Sequence, residues 1–176
     1  NWTSYIKGFK NYLQLERSLS VNSIDAYLRD VEKFVEYLAL SNVEISPEKV
    51  EQQLIEDFLA WISELGLNAR SQARILSGLK AFYKYLLMED MIEVAPTELL
   101  ESPKIGRKLP EVLSIEEINE IIGAIDLSKE EGERNKAMLE TLYSCGLRVS
   151  ELVGLRISKL MLDEGFVIVI GKGDKE

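Results

Sequence analysis

Ala69-Arg70-Ser71-Gln72-Ala73-Arg74-Ile75-Leu76-Ser77-Gly78-Leu79-Lys80-Ala81-Phe82-Tyr83-Lys84-Tyr85-Leu86-Leu87-Met88 is the stretch on which the fold turns. Ile75, Leu76, Leu79, Phe82, Tyr83, Leu86 and Leu87 recur at three- and four-residue spacing, which predicts one amphipathic helix capped by Asn68. On a helical wheel the cations Arg70, Arg74, Lys80 and Lys84 fall on the opposite side, among the small residues Ala73, Ser77 and Ala81. No acid occurs from Gly66 to Met88, in a chain that holds 30 of them. Two readings stand open: a solvated basic face, or a helix whose small residues let its backbone approach a groove while its cations reach phosphates on either side. The aromatic residues at core spacing read as packing rather than base stacking.

The same period extends outward. Tyr5, Ile6, Phe9, Tyr12 and Leu13 predict a first helix, and Ile24, Tyr27, Leu28, Val31, Phe34, Val35 and Leu38 a second. Ser46-Pro47 reads as the start of a third, which carries Leu54, Ile55, Phe58, Leu59, Ile62 and Leu65 and ends before Gly66. Four helices with short connections imply a bundle over 1–101. Pro103, Gly106 and Pro110 break the period, so 102–110 reads as a linker. Residues 111–176 form a second unit. Ser114 with Glu117 and Ser128 with Glu131 predict capping boxes ahead of two helices, and Gly146 ends the second of them. Val149, Leu152 and Val153 suit a further short helix. After a turn at Asp163-Glu164-Gly165, the run from Phe166 to Ile170 predicts a strand. The fold class is therefore mainly α: a four-helix bundle, a basic linker, then the start of a mixed α/β domain that ends after a short β-hairpin. A single hairpin is not independently stable, so the expectation is the front part of a longer protein.

The balance of the 176 residues excludes several classes. Hydrophobic residues make up 46% and charged residues 29%, which rules out disorder throughout. No run approaches the ~20 apolar residues of a membrane span, and no signal-peptide pattern opens the chain. One cysteine, Cys145, excludes an internal disulfide and fits a reducing cytoplasm. With no histidine there is no Ser-His-Asp triad and no His metal ligand, so a structural zinc site is not expected. The net charge of −9 taken alone argues against nucleic acid, but it is spread while the basicity is local. The linker holds Lys104, Arg107 and Lys108 with no acid. Over a Debye length of about 8 Å such patches, not net charge, decide which surface meets a polyanion.

Two residues in the second unit invite chemistry. Arg148 opens the short helix, where a cation opposes the macrodipole, so helix stability does not explain it. Glu151, three residues on, shares its face and can hold the guanidinium. The pair reads either as a surface ion pair or as an oriented fork for two phosphate oxygens. Lys172 lies between Gly171 and Gly173 and reads either as a polar turn or as a cation at a hairpin tip. The Gly-Lys-Gly run is not a Walker motif, since no Gly-rich loop precedes it and no Ser/Thr and helix follow.

Leu142-Tyr143-Ser144-Cys145-Gly146-Leu147-Arg148-Val149-Ser150-Glu151-Leu152-Val153-Gly154-Leu155 resembles the first catalytic box of the tyrosine recombinases, and Gly171-Lys172-Gly173-Asp174-Lys175-Glu176 resembles their catalytic-lysine hairpin. The stretches 19–30 and 73–83 and the linker ending Lys108-Leu109-Pro110 are similar to the core-binding domain of the Xer subgroup. The resemblance covers essentially the whole chain. It implies site-specific DNA recombination in the full-length parent, by a tyrosine that attacks a phosphodiester and forms a 3′-phosphotyrosyl bond. It implies Arg148 as the group that neutralises the non-bridging oxygens, Lys172 as the general acid for the leaving 5′-oxygen, and Glu151 as support for the arginine. The basic face of helix 69–88 and the basic linker supply the candidate DNA contacts Arg70, Ser71, Arg74, Ser77, Lys80, Lys84, Lys104, Arg107 and Lys108. The implied partner is a double-stranded recombination site held by a homo- or hetero-tetramer of recombinases, with no metal, cofactor or membrane. The implied setting is the cytoplasm, with chromosome partition at cell division among the roles.

The family also needs a His-x-x-Arg motif, a further His or Trp, and the nucleophile. None of the seven tyrosines stands in the nucleophile's context, so this chain alone is expected to bind DNA without cleaving it. The alternatives are a short degenerate recombinase that serves only as a DNA-binding module, and a helical protein-interaction module whose basic helix is incidental.

Overall fold

The computed structural model describes residues 1–106 and 109–171. Its internal contacts divide the chain into two compact units, Asn1–Arg107 and Lys108–Glu176. Among the described residues no helix is long and apolar enough to cross a membrane.

The first unit is a four-helix bundle of α1 (Trp2–Leu15), α2 (Val21–Leu40), α3 (Gln52–Glu64) and α4 (Ala69–Met88). Polar caps set three of its starts. Asn1 accepts from the Thr3 amide, Ser20 from Ser23 and Asn68 from Ser71. Gly66, at φ +84°, supplies the left-handed residue that ends α3. The core is aromatic. Phe9, Phe34, Phe58 and Phe82 are all fully buried, and Phe9–Phe82 and Phe34–Phe58 meet edge to face at 5.4 and 5.2 Å. Each large side chain removed from water contributes about 1.5–3 kcal/mol to the bundle, and ring contacts of this kind add about 0.5–1.5 kcal/mol each.

The start of the third helix differs from the sequence expectation. Ser46-Pro47 opens a single 3-10 turn, Pro47–Lys49, and α3 begins only at Gln52. Between them Val50 is extended and 6% exposed. Inserting that side chain into the core requires the extended backbone that interrupts the helix.

The second unit holds α5 (Ile115–Gly123), α6 (Gly132–Cys145), α7 (Val149–Val153) and a two-stranded antiparallel ladder of β1 (Leu160–Met161) and β2 (Phe166–Val167). Leu160 faces Val167 and Met161 faces Phe166, with Gly165 at φ +75° in the turn. Ser114 and Glu117 form the expected capping box. Ser128 does not: its amide and hydroxyl both donate to Asp126, at 2.9 and 2.6 Å, so it closes a turn of its own and α6 starts without a side-chain cap. The expected strand from Phe166 to Ile170 is also shorter. One further bond, from the Ile168 amide to the Lys159 carbonyl, extends the ladder. The opposing chain there is already a 3-10 turn, Ile157–Lys159, and offers no extended partner.

The units differ in burial. Gly132 is the one buried residue among the described residues of the second unit. Phe166 is 53% exposed, against 0% for the other four phenylalanines. Leu113, Ile121, Tyr143, Val149, Val153 and Ile157 likewise lie open.

Candidate nucleic-acid interface and the Arg148 loop

On α4 the apolar face packs inward and the cations are treated unequally. Arg70 and Lys84 are exposed, as is Lys104 beyond the helix. Ser71 is half-buried. Ser77 is exposed and donates to the Ala73 carbonyl at 2.9 Å. Lys80 is half-buried, and its Nζ donates to the carbonyl of Leu100 at 2.6 Å, which ties the segment after the bundle back onto α4. Ala73 is 9% exposed rather than an open notch. Arg107 and Lys108 lie outside the described residues.

Arg74 points to a feature that the sequence reading passed over. Its Nη1 stands 2.6 Å from Oδ1 of Asp30 on α2. Asp30 is 3% exposed, and burial pushes its carboxyl up to about 6 against the pull of Arg74, Arg29 and Lys33. The signal was available. Asp30 sits three residues after Tyr27 and four before Phe34, on the inward side of α2, where an acid has no packing reason to be.

In the second unit, Gly146 takes the left-handed conformation at φ +61° and ends α6. Arg148 follows in extended geometry as the first flank of α7. Glu151 grips it twice, accepting from the Arg148 amide and from Nη1, each at 2.7 Å. These two bonds, the backbone one first, hold the Glu151 carboxyl below the usual carboxylate range. The carboxylate is covered, at 8% side-chain exposure, while the guanidinium is 72% exposed. The local chemistry is a permanently charged fork, fixed at its base and open at its tip. Arg156 and Lys159 line a cavity of about 330 Å³ beside Glu151 and add two cations that the sequence reading did not single out; their Arg-x-x-Lys spacing was the available signal. Lys172 lies outside the described residues. Among the described residues no group of His, Cys, Asp and Glu side chains could hold a metal ion.

Comparison with known proteins agrees in both halves. Residues 6–90 match the phage integrase N-terminal SAM-like domain, and residues 111–176 match the phage integrase family. The tyrosine recombinase XerD of Staphylococcus aureus strain Mu50 is 38% identical over 174 residues, 97% of this chain and 58% of the relative. The XerD of Staphylococcus epidermidis is 37% identical over the same extent. The chain thus spans 58% of the length of the curated relatives it matches. Among solved structures, XerH bound to palindromic difH substrate in a post-cleavage complex superposes with a TM-score of 0.70 at 22% identity, over 97% of this chain and 51% of that one. The integrase of mycobacterium phage Brujita gives 0.52 at 22%, over 96% and 54%. At that identity these two structures speak for the fold.

Proposed function

We infer, since this chain belongs to the phage integrase family of tyrosine recombinases, that it serves site-specific DNA recombination, with the bundle as a DNA-binding unit and the second unit carrying part of the catalytic apparatus. The observation that carries the reading is the Arg148 loop. A guanidinium that opposes the dipole of its own helix, is held from below by a covered carboxylate and is open at its tip is built to meet an oxyanion. The oxyanion is the scissile phosphate. As a tyrosine oxygen attacks phosphorus, Arg148 neutralises the charge gathering on the non-bridging oxygens. The bond to the 5′-oxygen breaks as the phosphotyrosyl bond forms, and Lys172 gives that oxygen its proton. Glu151 keeps the fork oriented.

DNA is held by the basic face of α4, through Arg70, Ser71, Arg74, Ser77 and Lys84, and by the linker cations Lys104, Arg107 and Lys108. Lys80 contributes by anchoring Leu100 and adding positive potential. The assembly is a tetramer of recombinases on a double-stranded site, working in the cytoplasm without metal or small-molecule cofactor. Its role is resolution of chromosome dimers at partition and division, or of plasmids, or integration of a mobile element. The 176 residues hold no histidine, and the chain alone binds duplex DNA without cutting it.

Two measurements test this. In a gel-shift titration the 176-residue chain binds duplex DNA with log K falling linearly as log salt rises. On suicide substrates with candidate sites, denaturing gels show no covalent adduct. Salt-independent or absent binding overturns the DNA reading, and an adduct overturns the reading that none of the seven tyrosines is the nucleophile.

A further inference from the structure

At the crossing of α2 and α4 the two helices come so close that a Cβ on Gly78 would lie 2.5 Å from the Cβ of Asp30. Glycine is required there by the approach alone. Beside the crossing opens a recess of about 200 Å³, lined by Ser23, Ala26, Tyr27, Asp30, Arg74 and Ser77. The acid forms its floor and the arginine its rim: Asp30 is 3% exposed, whereas the Arg74 side chain is 55% exposed. Apart from the ion pair, Oδ1 of Asp30 accepts no hydrogen bond among the described residues.

A carboxylate in this position does not serve the bundle. Burying it costs desolvation that one half-exposed partner does not repay, and a neutral residue of the same shape would suit the crossing better. What the carboxylate does achieve is orientation. A guanidinium carries five donors in a rigid plane; with one edge held by Asp30, the rest remain for a second oxyanion, and little rotamer freedom is left to lose on gripping it. We propose that Asp30 is a positioning residue, which holds Arg74 at the rim of this recess as a preformed clamp for one backbone phosphate of DNA. The proposal rests on the DNA-binding reading above and deepens it. The charged groups acting on Asp30 are Arg74 from α4 and Arg29 and Lys33 from its own helix. Its raised titration point agrees with the geometry, and no histidine competes with it near neutral pH.

The experiment is a fluorescence-anisotropy titration of the 176-residue chain on a mixed-sequence duplex of about 30 base pairs at several salt concentrations. Arg74→Ala weakens binding about eightfold at about 0.1 M salt and lowers the salt slope by about one, the signature of one lost phosphate contact. Asp30→Asn moves the same way, and the double variant binds no worse than Arg74→Ala. Removing a negative charge from a DNA-facing surface would by itself tighten binding, so a loss on Asp30→Asn isolates orientation from charge. Asp30→Asn binding as tightly as the parent with an unchanged slope overturns the proposal, as does Arg74→Ala without effect. Absence of salt-dependent binding by the parent chain refutes the DNA reading instead. Should circular dichroism show Asp30→Asn unfolded, the parent decides by its pH profile. Affinity falls from about pH 7.5 to about 5.5 as Asp30 takes up a proton, whereas Arg74→Ala does not weaken over that window. A parent profile that is flat, or tightens toward acid, overturns the proposal.

Discussion

Asp30→Asn also makes a stability prediction that runs against the usual behaviour of an ion-paired acid. The carboxyl is raised from its ordinary 3.8 to about 6, first by burial, with Arg74 only partly opposing it. Between those values the folded bundle holds a proton that the unfolded chain has released, so unfolding free energy falls as pH rises. The stabilisation is complete below the unfolded value and is lost as pH passes through about 6. About two units at about 1.4 kcal/mol each set an upper bound of about 3 kcal/mol, of which roughly half falls between pH 5 and 7.5. Water around the half-exposed Arg74 reduces that portion to about 1 kcal/mol. The assay is selective, because both tryptophans, Trp2 and Trp61, pack against the bundle core and neither lies in the second unit. Urea unfolding followed by tryptophan fluorescence should show the midpoint falling by about 1 M from pH 5 to 7.5 in the parent. In Asp30→Asn the midpoint should be flat over that range and, at pH 7.5, no lower than the parent's. A parent whose bundle gains stability toward pH 7.5, or a variant that keeps the parent's slope, refutes the reasoning.

Other perturbations separate packing from chemistry. Phe82→Ala removes a fully buried ring touching Trp2, Phe9 and Tyr83, and should cost the bundle about 3–5 kcal/mol in the same assay. Gly78→Ala drives a methyl into Asp30 and should cost about 1–3 kcal/mol. In a recombinase carrying these residues together with the histidine motif and nucleophile, Arg148→Ala should bind its site almost normally yet lose roughly 10²–10³-fold or more in cleavage rate. Lys172→Ala in that setting should be rescued by a 5′-bridging sulfur, which leaves without a proton, whereas Arg148→Ala should not. Rescue of both, or of neither, in single-turnover cleavage would show that the division of labour is wrong.

The bundle was legible because its signals are local. A 3.6-residue apolar period, a side-chain cap at Asn68 and a left-handed Gly66 each act within one turn, and each stands where the sequence put it. Errors came where a local signal competed with a distant demand. Ser46-Pro47 has the chemistry of a helix start, but the core needed Val50 extended. Ser128 has the chemistry of a cap, but Asp126 took both of its protons. Lys80 stands on the cationic side of the wheel as read, and its ammonium in addition donates to a carbonyl twenty residues along the chain. None of these outcomes can be computed from spacing, since each depends on a partner that only the fold brings near.

The two arginines mark the same boundary from opposite sides. Arg148 could be singled out from sequence because its supporting acid is three residues away, within reach of one helical turn, and the structure forms that pair. Arg74 could be placed on a basic face, but its supporting acid lies 44 residues earlier and on another helix, so no pattern within α4 pointed to it. The clue lay in α2, as an acid where the apolar period wants a core residue. Each arginine is held on one side by a covered carboxylate and is exposed on the other, at 72% and 55%. The carboxylates differ in how they were made tolerable. Glu151 accepts two strong hydrogen bonds and is held below the usual range, whereas Asp30 has one ionic contact and is pushed above it. The Arg148 fork is therefore fixed at every pH near neutrality, while the Arg74 fork loosens in mild acid. A rise in Arg74 mobility on going from about pH 7.5 to 5.5, with none at Arg148, is the expected result for guanidinium NMR relaxation on the folded chain.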